Sequence, residues 1–436
     1  GEISLPPSRR VFAFLEQCVI PVTAPRGGVV HPKVWVLRYE PSDDQPATER
    51  RLRILSASRN LTFDASWDTV VRLDEATTGK RVALSEIGGL FDGLIAQAQI
   101  PIASDHLDRV QSLVAALHTA KFALPAGVDD IRAHVLGLAT TDSPLPPSAD
   151  RSLIISPFVS DDGLATLRRG IRSETHLLSR IETLDRLAPT SLDDRLRTSV
   201  LDDAAALFTD DDDSGEAAVI VDPLTGLHAK VIVVDTRAGA QLFFGSANAT
   251  GAALRDNVEV MVGLVGQTKQ VGVDATLAAL GPLVEAYAAQ GGVEPNDDEE
   301  ASYRLERYLR SLAGLRLSAR LLVGDPHSLA VWAEDTDYTE PEELSLRWHL
   351  LTRPDAGGRG FPGSVDSPTT LEELALTDIT PFIVLTANDA DGNERRTIVL
   401  AQLLDDIDEA AARFAQGDAN ALGLPQPVNA GSWKLI

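Results

Sequence analysis

The sequence has one cysteine, Cys18, and aromatic residues occupy only 5% of its 436 positions. A single cysteine excludes an internal disulfide, and with it a small secreted scaffold held by disulfides. We therefore expect a reducing, cytoplasmic location. The chain also lacks an uninterrupted apolar stretch of the roughly 18 residues that a membrane-spanning helix needs. Its opening, GEISLPPSRR, does not resemble a signal peptide.

Positive charge is scarce as well. There are 39 Lys and Arg against 64 Asp and Glu, which gives a formal net charge of −25. Such a chain as a whole repels nucleic acid and anionic membranes, which argues against a general DNA-coating protein. A local basic cleft is still compatible with this charge, because salt confines charge effects to about 10 Å. The acidic runs 210–213 and 297–300 lack the spacing of a calcium loop, so solvated loops or a helix start are the simpler interpretation.

The composition that is present, 44% hydrophobic and 24% charged residues, is typical of a globular protein of two to three domains. Strands alternate with helices from residue 152 to about 290, which indicates an α/β layered domain. Apolar residues three and four apart predict mostly amphipathic helix over residues 84–140, and residues 184–207 are predicted to be largely helical. Residues 140–150, TTDSPLPPSAD, are predicted to be a linker.

One pattern occurs twice in the chain. It consists of a His-x-Lys in an apolar strand, a second strand that ends in Ser-x-Asn, and a carboxylate further on. The stretches are GLHAKVIVVDTRAGAQLFFGSAN at 226–248 and VVHPKVWVLRYEPSDDQPATERRLRILSASRNLT at 29–62. The first copy supplies His31, Lys33, Ser58, Asn60 and Asp68, and the second supplies His228, Lys230, Ser246, Asn248 and Glu259. The shared order favours an internal repeat.

The repeated residues have a defined chemistry if the two copies meet. Residues two apart in a strand project from one face, so each His-x-Lys pair points into the same space. One histidine then acts as nucleophile and the other protonates the leaving oxygen. Lysines and asparagine amides donate to the oxygens of a phosphate, and Asp68 and Glu259 hold the imidazole tautomers. We expect His31 as nucleophile and His228 as general acid, with the reverse order left open, and neither metal nor cofactor.

The second copy, His228-x-Lys230-x4-Asp235 followed by Gly245-Ser246-x-Asn248, resembles the HxKxxxxD motif of the phospholipase D superfamily. The resemblance covers roughly residues 10–290, and its strong matches lie in the two motif blocks. It implies an α/β fold, a pseudo-two-fold α/β/α sandwich, in which both motifs form one site. It also implies a covalent phosphohistidine intermediate and phosphodiester cleavage that usually needs no metal. Asp235 is a supporting residue by this resemblance.

The first copy departs from the motif in two ways. Arg38 stands where the motif has its aspartate, a loss that is also seen in the tyrosyl-DNA phosphodiesterase branch. In addition, 76 positions separate Ser152 from His228, but only 30 residues precede His31. We therefore expect the first half to be truncated, without its opening β-α-β element.

These features together predict three domains and a helix that connects two of them. Residues 1–145 are a first phospholipase D-like half with a helical insert, and residues 151–292 are the second half. Residues 293–316 are a connecting helix, and residues 317–436 are a mainly-β accessory domain. The strands and hairpin of that last segment, such as the pair around NDADGNE, carry no recognisable catalytic motif.

The expected function is a nuclease-like phosphodiesterase, with nucleic acid as partner, DNA before RNA. A helicase or another subunit of a defence or restriction system is a further expected partner by analogy, and no membrane is expected. A lipid phosphodiesterase or phosphatidyl transferase is one alternative, and a degenerate scaffold that binds a phosphate backbone is another. Three further residues each have two interpretations. Arg59 contacts phosphate or solvent, Trp67 stacks on a base or belongs to the core, and Asn257 supports the pocket or satisfies backbone groups.

Overall fold

The computed structural model describes residues 18–41, 50–60, 66–138, 144–202, 226–312, 314–334, 341 and 343–404. The protein is a mixed α/β chain with several β-sheets, and it divides into two compact units. The larger unit contains residues 22–97 and 103–294, and the smaller contains the described residues from 295 onward together with 18–21 and 98–102. The acidic run 210–213 and part of the predicted helix 184–207 lie outside the described residues.

The larger unit begins with a three-stranded antiparallel sheet in the order β1-β2-β3. Alternating residues of β2 point into a core shared with two helices, as Leu52 and Ile54 illustrate, because strand side chains alternate between faces. The elements of this half are β1 (Val34–Tyr39), β2 (Arg51–Ala57), β3 (Val70–Asp74), β4 (Arg81–Ala83), α1 (Ser85–Ala96), α2 (Ser104–Thr119), β5 (Lys121–Ala123) and β6 (Val128–Leu136).

The rest of the larger unit contains an eight-stranded sheet in the order β13-β9-β8-β7-β10-β11-β12-β6, in which β7, β8 and β9 are parallel. Its other elements follow in chain order. They are β7 (Arg151–Ile155), α3 (Asp161–Arg168), β8 (Thr175–Leu178), α4 (Ile181–Arg186), β9 (Leu196–Leu201), β10 (Val231–Thr236), β11 (Gly239–Gly245), α5 (Gly251–Arg255), β12 (Glu259–Gly266), α6 (Thr268–Val271), α7 (Val273–Leu280) and β13 (Val284–Ala286).

Two helical predictions were only partly right. Residues 84–140 do form α1 and α2, but they continue into β5 and β6, and β6 is an edge strand of the large sheet. The predicted helix over 184–207 ends at Arg186, three residues before Pro189, which disfavours helix in the residue that precedes it. Residues 196–201 then form β9, whose parallel pairing with β8 outweighs the helical pattern.

The two repeated motifs lie in strands that have the same pairing register. In each copy, the residue two positions before the motif serine pairs with a residue of the first strand. The residue one position before the serine pairs with a residue of the third strand. The matched pairs are Val34–Ser56 and Ala57–Val70 in the first copy, and Val231–Phe244 and Gly245–Met261 in the second. Strands β1-β2-β3 and β10-β11-β12 are therefore structural equivalents, position by position.

The outer faces of these equivalent sheets differ. Trp35 on β1 and Val70 on β3 are 40% and 59% exposed. Their counterparts Ile232 and Met261 are buried, in a core that also contains residues of α3 and α4. β10 pairs with β7 as well as β11, whereas β1 pairs only with β2 within the described residues. Among the described residues, the outer face of the first copy is thus less covered than the outer face of the second.

The smaller unit is mainly β. Its two four-stranded sheets have the orders β18-β15-β14-β21 and β17-β16-β19-β20, and one apolar core joins them to a helix. Trp332 and Trp348 are both buried, and the predicted hairpin around NDADGNE is β19–β20. The elements are α8 (Asp297–Leu312), β14 (Leu317–Leu322), β15 (His327–Ala333), β16 (Leu344–Leu350), β17 (Arg353–Arg359), β18 (Thr369–Leu374), β19 (Phe382–Asp389), β20 (Glu394–Leu400) and β21 (Gln402–Leu403). The domain boundaries given above stay predictions.

Among the helices of the described residues, none combines the length and the apolar character needed to cross a bilayer.

Candidate functional site

The segment that carries His31 joins the second copy directly. Val30 forms a parallel bridge with Val258, the residue before Glu259, and the His31 backbone N–H donates to the Val258 carbonyl at 3.0 Å. Gly28 permits this approach, because a Cβ at that position would lie 2.4 Å from the Asp256 carbonyl oxygen. The first histidine is therefore held beside the carboxylate of the second copy.

The second histidine has the reciprocal arrangement. Leu227 bridges Trp67, the residue before Asp68, and the His228 N–H donates to the Trp67 carbonyl at 3.0 Å. Trp67 packs partly buried against the core cluster that contains Leu227, so its core interpretation is correct. Each copy's histidine thus lies beside the other copy's acidic residue, and the two motifs meet in one site.

Glu259 fixes the tautomer of His31. The imidazole Nδ1 lies 3.1 Å from both carboxylate oxygens, and Glu259 itself is fully buried. A carboxylate only accepts hydrogen bonds, so Nδ1 carries the proton and the Nε2 lone pair is free. Asn257 supports this pair, since its amide donates to Glu259 at 3.2 Å and its Oδ1 accepts the Val29 N–H at 3.0 Å.

His228 has a different partner. Its Nδ1 lies 3.2 Å from the Nζ of Lys230, which donates to the ring nitrogen and to the His228 carbonyl. Burial, followed by the Lys230 charge, lowers the pKa of His228 to about 4. The ring is therefore neutral at pH 7, and its proton lies on Nε2 when Lys230 is protonated and donates to Nδ1.

Asp68 does not orient His228 by a hydrogen bond as expected. Its Oδ1 accepts the Ser58 hydroxyl and, at 2.7 Å, the Thr69 N–H. Asp68 and Glu259, which are equivalent in the repeat, therefore have different hydrogen-bond partners. Asp68 still acts on His228 through its charge, which favours the protonated imidazole.

Two buried lysines make the site cationic. Lys33 donates to the His31 carbonyl at 2.8 Å, and Lys230 makes the matching bond to His228. Burial lowers the pKa of Lys33 to about 8. Burial, and then repulsion from Lys33, lowers the pKa of Lys230 to about 7. Because Asp68 and Glu259 act on both lysines, the four groups share one electrostatic environment.

The motif serines and asparagines have separate roles. The hydroxyls of Ser58 and Ser246 accept the N–H groups of Thr69 at 3.3 Å and Val260 at 3.1 Å, so they fasten strand ends. Asn60 is exposed. The Oδ1 of Asn248 is buried and has no hydrogen-bond partner within the described residues, which leaves an acceptor open to a ligand donor.

Asp235 lies apart from this group. It is five residues beyond Lys230 on an extended strand, about 16 Å away by strand geometry. Its carboxylate accepts from the Arg151 guanidinium at 2.8 Å and from the Val273 N–H at 3.1 Å. Arg38, at the equivalent position of the first copy, pairs with Glu40 at 3.0 Å. In the part of the chain that the structure describes, neither side chain has a hydrogen bond or ion pair with the motif histidines or lysines, and the supporting role of Asp235 stays a prediction.

Two arginines lie near the site. The sequence left two interpretations open for Arg59 and predicted no role for Arg180. Arg59 is buried, and its charge contributes to the low pKa of His228, so it belongs to the site's electrostatics. Arg180 follows the carboxyl end of parallel strand β8 and donates to the Leu227 carbonyl at 2.8 and 3.2 Å. Its position was discoverable in principle, because ligands of open α/β sheets bind beyond the carboxyl ends of the strands.

Within the described residues, no three His, Cys, Asp or Glu side chains are grouped so that they can hold a metal ion. The acidic run at 297–300 begins helix α8.

Sequence comparison gives no relative, since no family model and no curated protein matches the chain. Solved structures with partial similarity include phosphatidylserine synthase of Haemophilus influenzae Rd KW20, with 12% identity, TM-score 0.29, and coverage of 60% of this chain and 66% of that one. Polyphosphate kinase of Porphyromonas gingivalis has 14% identity, TM-score 0.31, and coverage of 65% and 40%. Yeast tyrosyl-DNA phosphodiesterase has 11% identity, TM-score 0.28, and coverage of 49% and 65%.

The aligned part of these solved structures is thus 40–66% of their own length. With TM-scores near 0.3, the similarities decide neither fold nor function.

Proposed function

We propose that this protein is a metal-independent phosphodiesterase of the phospholipase D type that cleaves nucleic acid through a phosphohistidine intermediate. The observation that carries the proposal is the reciprocal pairing of the two His-x-Lys motifs, in which Glu259 holds His31 with a free Nε2. Two buried lysines beside two histidines form a site suited to a phosphodiester anion.

In the first step, Nε2 of His31 attacks phosphorus, and the bond from phosphorus to the leaving oxygen breaks. The leaving oxygen takes the proton from Nε2 of His228, while Nδ1 of that ring takes one from Lys230. Glu259 stabilises the positive charge that develops on His31. Both lysines, Lys33 and Lys230, and the side-chain amides of Asn60 and Asn248 donate to the non-bridging oxygens.

In the second step, water attacks the phosphohistidine. Its proton goes to Nε2 of His228, and the Nδ1 proton returns to Lys230, which restores both groups. The N–P bond breaks and its electron pair returns to His31. The lysine is suited to this exchange because its pKa, about 7, lies close to neutral pH.

We further propose that the first half is a truncated version of the second within a pseudo-two-fold α/β/α sandwich. The matched strand registers support the relationship between the halves. The exposure of Trp35, whose counterpart Ile232 is buried, supports the loss of the covering β-α-β element. A helicase or another defence-system subunit is the proposed partner class.

The test is cleavage of labelled single- and double-stranded DNA and RNA in excess EDTA, comparing wild type with His31→Asn and His228→Asn. His106→Asn, on helix α2, is the matched control. We expect EDTA-resistant cutting that both site variants abolish and the control retains. Hydrolysis of phospholipid vesicles without nucleic-acid cutting would replace the proposal by a lipid phosphodiesterase. Binding without any turnover would replace it by a scaffold.

A further inference from the structure

We propose that Phe158, backed by Arg180, is a stacking platform for a nucleobase next to the phosphodiester site. The inference rests on the proposed function, and it names the group that selects nucleic acid as the substrate class.

Arg180 connects the platform to the catalytic histidine. Its guanidinium donates twice to the carbonyl of Leu227, the residue before His228, and its charge acts on Lys230. The guanidinium carbon also lies 5.1 Å from the centre of the Phe158 ring. The ring is therefore held against a cation whose own position is fixed relative to His228.

The loop around Phe158 lies against the other motif residue of the second copy. Val159 forms a parallel bridge with Ala249, which directly follows Asn248. The Ser156 hydroxyl accepts the Ala249 N–H at 3.0 Å and donates to the Phe158 carbonyl at 2.7 Å. The Phe158 backbone is thereby fixed between the Asn248 segment and the Arg180 side chain.

Although these hydrogen bonds fix the backbone of the loop, the aromatic side chain of Phe158 remains exposed to solvent. Phe158 is 48% exposed, although it directly follows a buried strand and a buried serine and proline. The Thr183 hydroxyl donates to the Pro157 carbonyl at 2.9 Å, a second bond that fixes the loop backbone. The exposure of the ring is therefore a property of a rigid loop.

A nucleobase fits this surface better than a lipid chain does. Every base has a flat π-face that stacks on an aromatic ring without regard to sequence, and an arginine next to the ring adds cation–π attraction. A platform of one ring gives a flat contact, whereas an acyl chain needs an extended apolar groove. The phosphate is then bound by the lysines while an adjacent base is held by Phe158.

The experiment measures binding of a fluorescent single-stranded oligonucleotide, and of an abasic oligonucleotide of the same length and charge, in the His31→Asn background. That background prevents cleavage, so the result does not depend on turnover. We expect the parent to prefer the base-containing strand by about tenfold. Phe158→Ala and Phe158→Leu should remove this preference, Phe158→Trp should keep it, and abasic-strand binding should not change.

Val323→Ala is the matched control, since Val323 is 70% exposed and lies in the smaller unit. It should leave both affinities unchanged. A parent that binds both strands equally overturns the stacking proposal, and so does a Phe158→Ala variant that keeps the base preference. A third outcome separates the two proposals. If the wild-type protein cleaves no nucleic acid, and Phe158→Ala nevertheless loses the base preference, the proposed catalysis is wrong and the stacking platform is supported.

Discussion

His31 and Glu259 form a histidine–carboxylate pair, with Nδ1 3.1 Å from both carboxylate oxygens, although 228 positions separate them in the chain. No carboxylate of the described ranges forms such a hydrogen bond with His228. Its Nδ1 faces the Lys230 ammonium, and Asp68 bonds to Ser58 and Thr69. The two copies of one motif therefore place different partners on Nδ1, and the proposed mechanism takes this difference to assign His31 as nucleophile and His228 as acid.

Glu259→Gln should lower kcat on a simple phosphodiester by about a hundredfold or more, because the amide cannot stabilise the charge that forms on His31. Asp235→Asn is the comparison. It removes charge from a buried carboxylate paired with Arg151, away from the histidines. We expect it to lower the melting temperature and leave kcat of the folded enzyme nearly unchanged. Equal kcat losses in both variants would contradict the separation of roles.

The order of the histidines is testable with a p-nitrophenyl phosphodiester, whose leaving group needs no proton. His228→Asn should still release a burst of nitrophenolate, about one equivalent per enzyme, because His31 can attack while hydrolysis of the intermediate is slow. His31→Asn should give no burst. Phosphorus NMR of the quenched His228→Asn enzyme should detect the phosphohistidine. A burst from His31→Asn alone would reverse the assignment.

Substrate affinity should fall as pH rises from about 7 to about 8. Burial lowers the pKa of Lys230 to about 7 and that of Lys33 to about 8, so both ammonium groups lose their protons in this range. The pH profile of KM should therefore rise on the alkaline side. Lys230→Arg keeps its charge at all relevant pH values and should move the rise toward the Lys33 value. An identical KM profile in this variant would show that Lys230 does not bind phosphate.

Lys230→Met should stabilise the fold while it removes activity. The folded-state pKa of about 7 lies below the ordinary 10.5, so the unfolded chain binds an extra proton between these values, and the free energy of unfolding increases with pH there. Below pH 7 the native state carries a buried charge. Its replacement by an apolar side chain should add about 1–4 kcal/mol at pH 6. Urea unfolding at pH 6 and pH 9 should show a gain that is smaller at pH 9.

Gly28→Ala should weaken the site without a large loss of helix or sheet. A Cβ there would lie 2.4 Å from the backbone oxygen of Asp256, which cannot move aside as a flexible side chain can. The strand bridge next to His31 should shift, and kcat should fall about tenfold or more, since misplacement by about 1 Å can cost a hundredfold. Gly89→Ala, on helix α1 with open space around it, is the matched control. It should keep kcat and gain up to about 1 kcal/mol of stability.

The sequence motifs were sufficient to predict the strands that carry them and the meeting of the two copies in one site. His-x-Lys and Ser-x-Asn mark equivalent positions of equivalent strands. The pattern of apolar residues was insufficient to predict β6, because its residues DDIRAH interrupt the apolar alternation. β6 is a strand because it pairs with β12. Arg180 was also missed, although it follows the carboxyl end of β8, where ligands of open α/β sheets bind. The different partners of His31 and His228 depend on side-chain contacts in the folded site, which spacing alone does not reveal.

The reciprocal pairing also has a kinetic consequence. Val30 meets Val258, and Trp67 meets Leu227, only after segments some two hundred positions apart have found each other. Closing loops of that size costs conformational entropy before the contacts that stabilise the closed state have formed, so such contacts form slowly. The site should therefore be among the last features to assemble after dilution from denaturant, and the return of activity should lag behind the return of secondary structure.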